Sequence, residues 1–308
     1  MSGVGRRRPR DDNHASLTRR KQGETMAIFK MMPRKIAQEI TGRPAVDGDG
    51  VRLVRVLSYR TVADFDPFLL LDAFDSTNPE DYTGGFPMHP HRGIETVTYL
   101  MEGRIEHEDS LGNKGVILGG GCQWMTAGRG IMHQEMPKAS PRMLGLQLWV
   151  NLPSKDKMAP PKYRDIAPDQ VPLVKDQGVE VRVLSGEYEG TAGAMQADYV
   201  NVTFLDVALE PGASWSLSTR RDDTLFAYVL EGECSDKGGT PLSRRQAVLF
   251  TSGDSLVLKG GRERARLVVV AGKPLGERIA WGGPIVMNTD QELEEAFLQL
   301  EAGTFITK

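Results

Sequence analysis

The chain has 308 residues, 40% hydrophobic and 26% charged, with a formal net charge of −3. That length predicts two domains, each able to bury a core, and that charge excludes broad attraction to nucleic acid or acidic membrane surfaces. The longest apolar runs, such as Phe68 to Leu71 and Leu267 to Ala271, fall far short of the about 20 residues a membrane helix needs. Two cysteines, Cys122 and Cys234, in no CxxC spacing, support neither a disulfide framework nor a thiolate zinc site, so a reducing, cytoplasmic setting is expected.

Residues 1–25 are basic and polar (RRRPR, TRRKQ) and lack the apolar core of a secretory signal. They read as a disordered tail or as an upstream start placed before Met26; a nuclear or polyanion-binding patch is the sharper alternative. From Val51 onward the chain is a series of short β-branched and aromatic runs (Val51 to Leu57, Glu95 to Leu100, Leu144 to Val150, Val200 to Ala208) separated by Gly, Pro, Asn and Asp. This is the pattern of antiparallel sandwiches and barrels, and the fold class predicted is all-β. Residues 26–150 then form the first barrel. The stretch 151–177, rich in Pro, Lys and Asp and without sustained period, reads as a linker. Residues 178–308 form the second barrel. Near the end, Thr289 and Glu292 match a capping box, Leu293, Phe297 and Leu300 share a helical face, and Gly303 is placed to stop the helix. One short amphipathic helix is expected, packed on a barrel.

A faint internal repeat joins the halves. Gly103 in TYLMEGRIE corresponds to Gly232 in AYVLEGECS, and MTAG at 125–128 corresponds to FTSG at 250–253. Two barrels of one design therefore follow each other.

Three of the five histidines lie in two clusters with a glutamate: His89 and His91 in MHPHRGIE, His133 and Glu135 in GIMHQEMP. Residues at i and i+2 on a strand point to one face, roughly 6 to 7 Å apart. Two such pairs on neighbouring strands can converge inside a barrel. Three imidazoles and one carboxylate leave open positions on an octahedral ion, a ligand set suited to iron, manganese or another borderline divalent metal. Carried across the repeat, His89 and His91 fall on Ser218 and Arg220, and His133 and Glu135 on Leu258 and Gly260. The second barrel keeps the frame and lacks all four candidate ligands.

The stretch GGFPMHPHRGIETVTYLMEGRIEHEDSLGNKG, followed by QWMTAGRGIMHQEMP, resembles the pirin family of the cupin superfamily, from about Met26 to the C-terminus. The resemblance implies a bicupin, two cupin-type β-barrels, with Fe(II) in the N-terminal one on His89, His91, His133 and Glu135; Mn, Ni, Co, Cu or Zn are the alternatives. The general cupin motif HxHxxxE would put a carboxylate ligand at Glu95. The pirin pattern uses Glu135 instead, and Glu95 is left a supporting role. His107 reads as a polar barrel residue, or else as a fifth ligand or nearby base. Cys122 reads as a small buried residue, and Arg92, Trp124 and Met125 as cavity wall or packing.

Some bacterial pirins are quercetin 2,3-dioxygenases, so the resemblance implies ring opening of a flavonol-like, enolic aromatic with O2, with Glu135 as general base. The alternative it carries is a non-enzymatic iron and redox sensor that binds a transcriptional or metabolic protein partner. A monomer is expected, because the second barrel can take the place of a dimer partner.

Overall fold

The computed structural model describes residues 32–306; the tail expected over 1–25 lies outside them. The chain runs β1 (Ile36–Thr41), β2 (Arg43–Asp47), β3 (Val51–Leu57), a single turn α1 (Val62–Phe65), β4 (Phe68–Ser76), β5 (Phe86–His91), β6 (Ile94–Glu102), β7 (Arg104–Asp109), β8 (Lys114–Leu118), β9 (Cys122–Thr126), β10 (Ile131–Pro137), β11 (Met143–Asn151) and β12 (Lys162–Ile166). The second half continues with β13 (Leu173–Asp176), β14 (Val179–Ser185), the short hairpin β15 (Glu187–Tyr188) and β16 (Thr191–Ala192), β17 (Val202–Leu209), β18 (Ser214–Ser218), β19 (Thr224–Glu231) and β20 (Cys234–Asp236). It ends with β21 (Pro241–Leu242), β22 (Gln246–Phe250), β23 (Ser255–Gly260), β24 (Ala265–Gly272), β25 (Ala280–Gly282), β26 (Ile285–Met287) and helix α2 (Asp290–Glu301).

The all-β expectation holds, and the two halves share one plan. In the first, a seven-stranded sheet β12-β9-β6-β11-β4-β3-β2 faces a four-stranded sheet β5-β10-β7-β8; in the second, β1-β22-β19-β24-β17-β14-β13 faces β18-β23-β20-β21. Three strands sit where the sequence reading does not put them. β1 precedes the first barrel yet pairs with β22 of the second, Ile40 opposite Ala247. β12 lies in the stretch read as a linker yet pairs with β9 of the first barrel, Arg164 opposite Trp124, while β13 from the same stretch pairs with β14 of the second. An edge strand is recruited by the unpaired N–H and C=O groups of its neighbour, which local periodicity does not reveal.

The outer faces of the two large sheets share one apolar core. Phe68, Val97, Tyr99 and Trp124 meet Phe204, Phe226, Val268 and Val270 there, all essentially inaccessible to solvent. Phe68 and Phe226 pack edge to face at 5.4 Å between ring centroids, within the preferred range of aromatic pairs. Tyr99 donates its hydroxyl to Asp206 across this seam at 2.6 Å, and Arg266 grips the same carboxylate from behind.

The helix begins as its sequence dictates, with Thr289 Oγ1 accepting from Glu292 N and Glu292 Oε2 accepting from Thr289 N. Its buried face carries Ala296, with Leu293 and Leu300, against Ile285 and Met287. Phe297 leans on Gly282 but stays 38% exposed. The helix thus docks on the β25–β26 hairpin, which is tied to the first barrel by the backbone bond from Val286 N to Arg92 O.

Candidate metal centre

β5 and β10 are antiparallel neighbours in the small sheet of the first barrel, and His89 stands directly opposite His133. Period-two alternation puts His91 on the same inward face. The imidazole nitrogens of His89, His91 and His133 lie within 4.8 Å of one another, a grouping able to hold a metal ion. His133 and His91 are buried, and His89 is half-buried at the rim.

The surroundings fix how these rings are protonated. His89 Nδ1 lies 2.9 Å from the Pro87 carbonyl and His91 Nδ1 lies 3.2 Å from the Pro284 carbonyl. A carbonyl oxygen only accepts, so each Nδ1 carries the proton and each Nε2 presents a lone pair. Burial lowers the basicity of all three rings: it pushes His91 down to about 3, lowers His133 well below the ordinary histidine value, and lowers His89 less. The rings are therefore neutral near pH 7, and the Nε2 atoms of His89 and His91 face each other at 3.1 Å as two lone pairs. Among the described residues no donor reaches either atom to relieve that repulsion. His133 Nε2 is likewise buried without a hydrogen-bond partner among the described residues. Three converging neutral imidazoles, two of them with their tautomer fixed by a carbonyl, are a donor set for a divalent transition metal, so the residues fit such an ion.

Glu135 stands next on β10, but a register shift between His133 and Glu135 breaks the even spacing against β5. Its carboxylate is not part of the three-imidazole group. It accepts a hydrogen bond from Thr98 Oγ1 at 2.7 Å, with the Gln147 side-chain amide 2.6 Å from the same hydroxyl. Burial pushes the Glu135 carboxyl up to about 7.

Glu95 lies three residues before Thr98 on β6, hence on the opposite face. That face carries Val97 and Tyr99 into the inter-barrel core, and Glu95 Oε1 accepts from Thr126 there. A general cupin ligand at Glu95 is therefore excluded by the strand's own alternation. His107 sits behind His133, with Nδ1 atoms 3.5 Å apart, and stacks on Tyr163 at 4.6 Å. Cys122 packs in the inter-barrel core, and burial pushes its thiol up to about 12.

A cavity of about 1140 Å³ opens in front of His89, His91 and Glu135. Its wall includes Trp149, Trp281, Phe86, Gln147 and Arg55. Arg55 is already engaged by Asp72 at 2.7 Å and Asp47 at 2.6 Å. Trp149 meets the His91 ring edge to face at 4.9 Å. Three residues read as possible wall are not in it. Trp124 packs in the inter-barrel core, Met125 packs with Ile94 and Ile131, and Arg92 bonds to Arg129 O, Gln299 Oε1 and Phe305 O. Trp281 and Pro284, conversely, were not legible as site residues, because they follow the second barrel in the chain.

A double barrel with inward imidazoles in one half and none in the other defines a bicupin. The pirin family profile matches residues 50–150, and that of the pirin C-terminal cupin domain matches residues 204–306. A Pseudomonas aeruginosa relative is 45% identical over 280 residues, spanning 88% of this chain and 97% of its own. Human pirin is 38% identical over 270 residues, spanning 86% of this chain and 91% of its own. A crystal structure of a quercetin 2,3-dioxygenase from Acinetobacter baumannii superposes with a TM-score of 0.81 at 33% identity, covering 88% of this chain and 98% of the other. The chain belongs to the pirin family. No helix among the described residues is long and apolar enough to cross a membrane.

Proposed function

We propose that this protein is an iron-dependent dioxygenase that opens a flat, enolic aromatic ring of the flavonol type with O2. The observation that carries this reading is the convergence of three imidazole nitrogens beside an aromatic-walled cavity. His89, His91 and His133 would hold Fe(II), with Glu135 as the fourth donor, and the ion supplies a Lewis-acid and redox centre at which a phenolate and O2 can meet.

The chain's own side chains supply the rest. Trp149 and Trp281 give the ring apolar walls, with centroids 6.0 Å apart. Arg55 is already satisfied by two carboxylates, so it does not select an acidic substrate. Glu135, when it loosens from the ion, would take the proton of an enol hydroxyl, and Thr98 donates a hydrogen bond to the same carboxyl group. At about 1140 Å³ the cavity exceeds the roughly 300–1,000 Å³ usual for small-molecule pockets, so a three-ring substrate has room. The similarity to a structure named quercetin 2,3-dioxygenase supports the substrate class.

The test is oxygen uptake by iron-loaded protein with quercetin. The wild-type protein consumes O2, and His91→Ala does not. Absence of uptake with a panel of flavonols, together with a partner captured in only one iron oxidation state, would replace the enzyme with a redox-sensing regulator.

A further inference from the structure

The segment Trp281 to Met287 follows the second barrel in the chain but closes over the ligand strand of the first. Pro284 O faces His91 Nδ1 at 3.2 Å. Two residues later Val286 N donates to Arg92 O at 3.1 Å, and Ile285 bridges Arg92. The contact is so close that a Cβ on Gly93 would lie 1.9 Å from Val286 O, and Gly93 has a positive φ of 76° besides. Only glycine fits there.

Lys157 binds the two segments together. It is 2% exposed, and its Nζ donates to Gly93 O at 2.8 Å, Val286 O at 2.9 Å and Asn151 Oδ1 at 2.5 Å. All three acceptors are neutral oxygens, so this is not an ion pair. Burying an ammonium is expensive unless every N–H is used, and here three donors meet three acceptors. Such a group is justified by the geometry it enforces: it fixes the spacing between the end of the ligand strand and the segment that carries Pro284 O.

We propose that Lys157 and the Pro284 carbonyl are positioning groups for His91, so that a segment following the second barrel completes the metal site of the first. The carbonyl holds the proton on Nδ1 and aims Nε2 at the ion; Lys157 holds the carbonyl in place. Supports of this kind govern ligand orientation, and their loss typically costs 10–100-fold in metal affinity. The inference rests on the reading of His91 as a ligand.

Full-length Lys157→Met and wild-type protein are compared with Zn(II) as the probe, by competition with a chromophoric chelator. The dissociation constant rises about 10–100-fold in the variant. In the metal-free variant the imidazole ¹⁵N shifts of His91 change from the Nδ1–H pattern to a mixture of tautomers. A wild-type measurement stands independently should the variant fail to fold. Because coupling is reciprocal, Zn(II) must slow amide exchange at Val286 in the unmodified protein. Variant affinity within twofold of wild type with unchanged His91 shifts, or Val286 exchange indifferent to saturating Zn(II), overturns the clamp alone. Wild-type protein that takes up no Zn(II) overturns both the clamp and the metal reading beneath it.

Discussion

Where the first barrel gathers His89, His91 and His133 on β5 and β10, the matching strands β18 and β23 of the second carry Trp215, Leu217, Leu256 and Leu258, all buried in one apolar cluster. Leu258 stands opposite Trp215 in register as His133 stands opposite His89. The second barrel shows that this strand plan closes on hydrophobic packing alone. The imidazoles are therefore not needed to build the first barrel; they replace packing with buried nitrogen lone pairs that the fold leaves unmatched.

The comparison breaks most sharply at Leu258. Leu258→Ala opens a cavity in a dry core and is expected to destabilise the protein by about 2–5 kcal/mol in urea titrations, with Zn(II) affinity of the first barrel unchanged. A loss of affinity would mean that the barrels are not separable in this respect. Next in size is a pH effect confined to the first barrel. Glu135 has its carboxyl raised from 4.5 to about 7 in the folded, metal-free protein. Between those values the unfolded chain has released the proton and the folded chain retains it, so the contribution of Glu135 to stability is fully present below 4.5 and is lost as pH rises to about 7. The fall is about 3 kcal/mol by the usual linkage, and Glu135→Gln removes it; a wild-type profile that coincides with that of the variant would contradict this. The smallest change converts the first barrel toward the second: His133→Leu removes a buried, unpartnered nitrogen and should stabilise the chelator-treated protein by about 1–2 kcal/mol in thermal melts while lowering metal uptake. A destabilised metal-free variant would show that the imidazole contributes packing that leucine cannot.

The parts of this molecule that were legible in the sequence are those governed by strand period. His89 with His91 follows from side chains alternating across a strand, and the repeat correctly carried His133 onto Leu258; it misplaced the other pair, because Ser218 is exposed, Arg220 lies beyond β18, and the register sets Trp215 opposite Leu258. The same rule, applied to Glu95 and Thr98, separates the carboxylate facing the second barrel from the hydroxyl facing Glu135. What could not be read was set by long-range partners. The register shift on β10 that distinguishes Glu135 from the imidazoles depends on how β5 pairs with it. The place of β12 depends on an open edge at β9, and the contribution of Pro284 on a hairpin nearly two hundred positions from His91. Composition hid the strands in 151–177, because prolines and charges are tolerated on edges and in the turns beside them.

The crossing of β1 has a consequence for how the chain can be made. Its arm is anchored beside Thr251, whose carbonyl accepts from Arg34 at a separation of 217 positions, so β1 must wait after synthesis for most of the polypeptide before it finds its mate. Cutting the gene between the barrels would leave β22 with one open edge in one product and an orphaned arm in the other, an invitation to aggregate. The halves are duplicates in design but not separable as products.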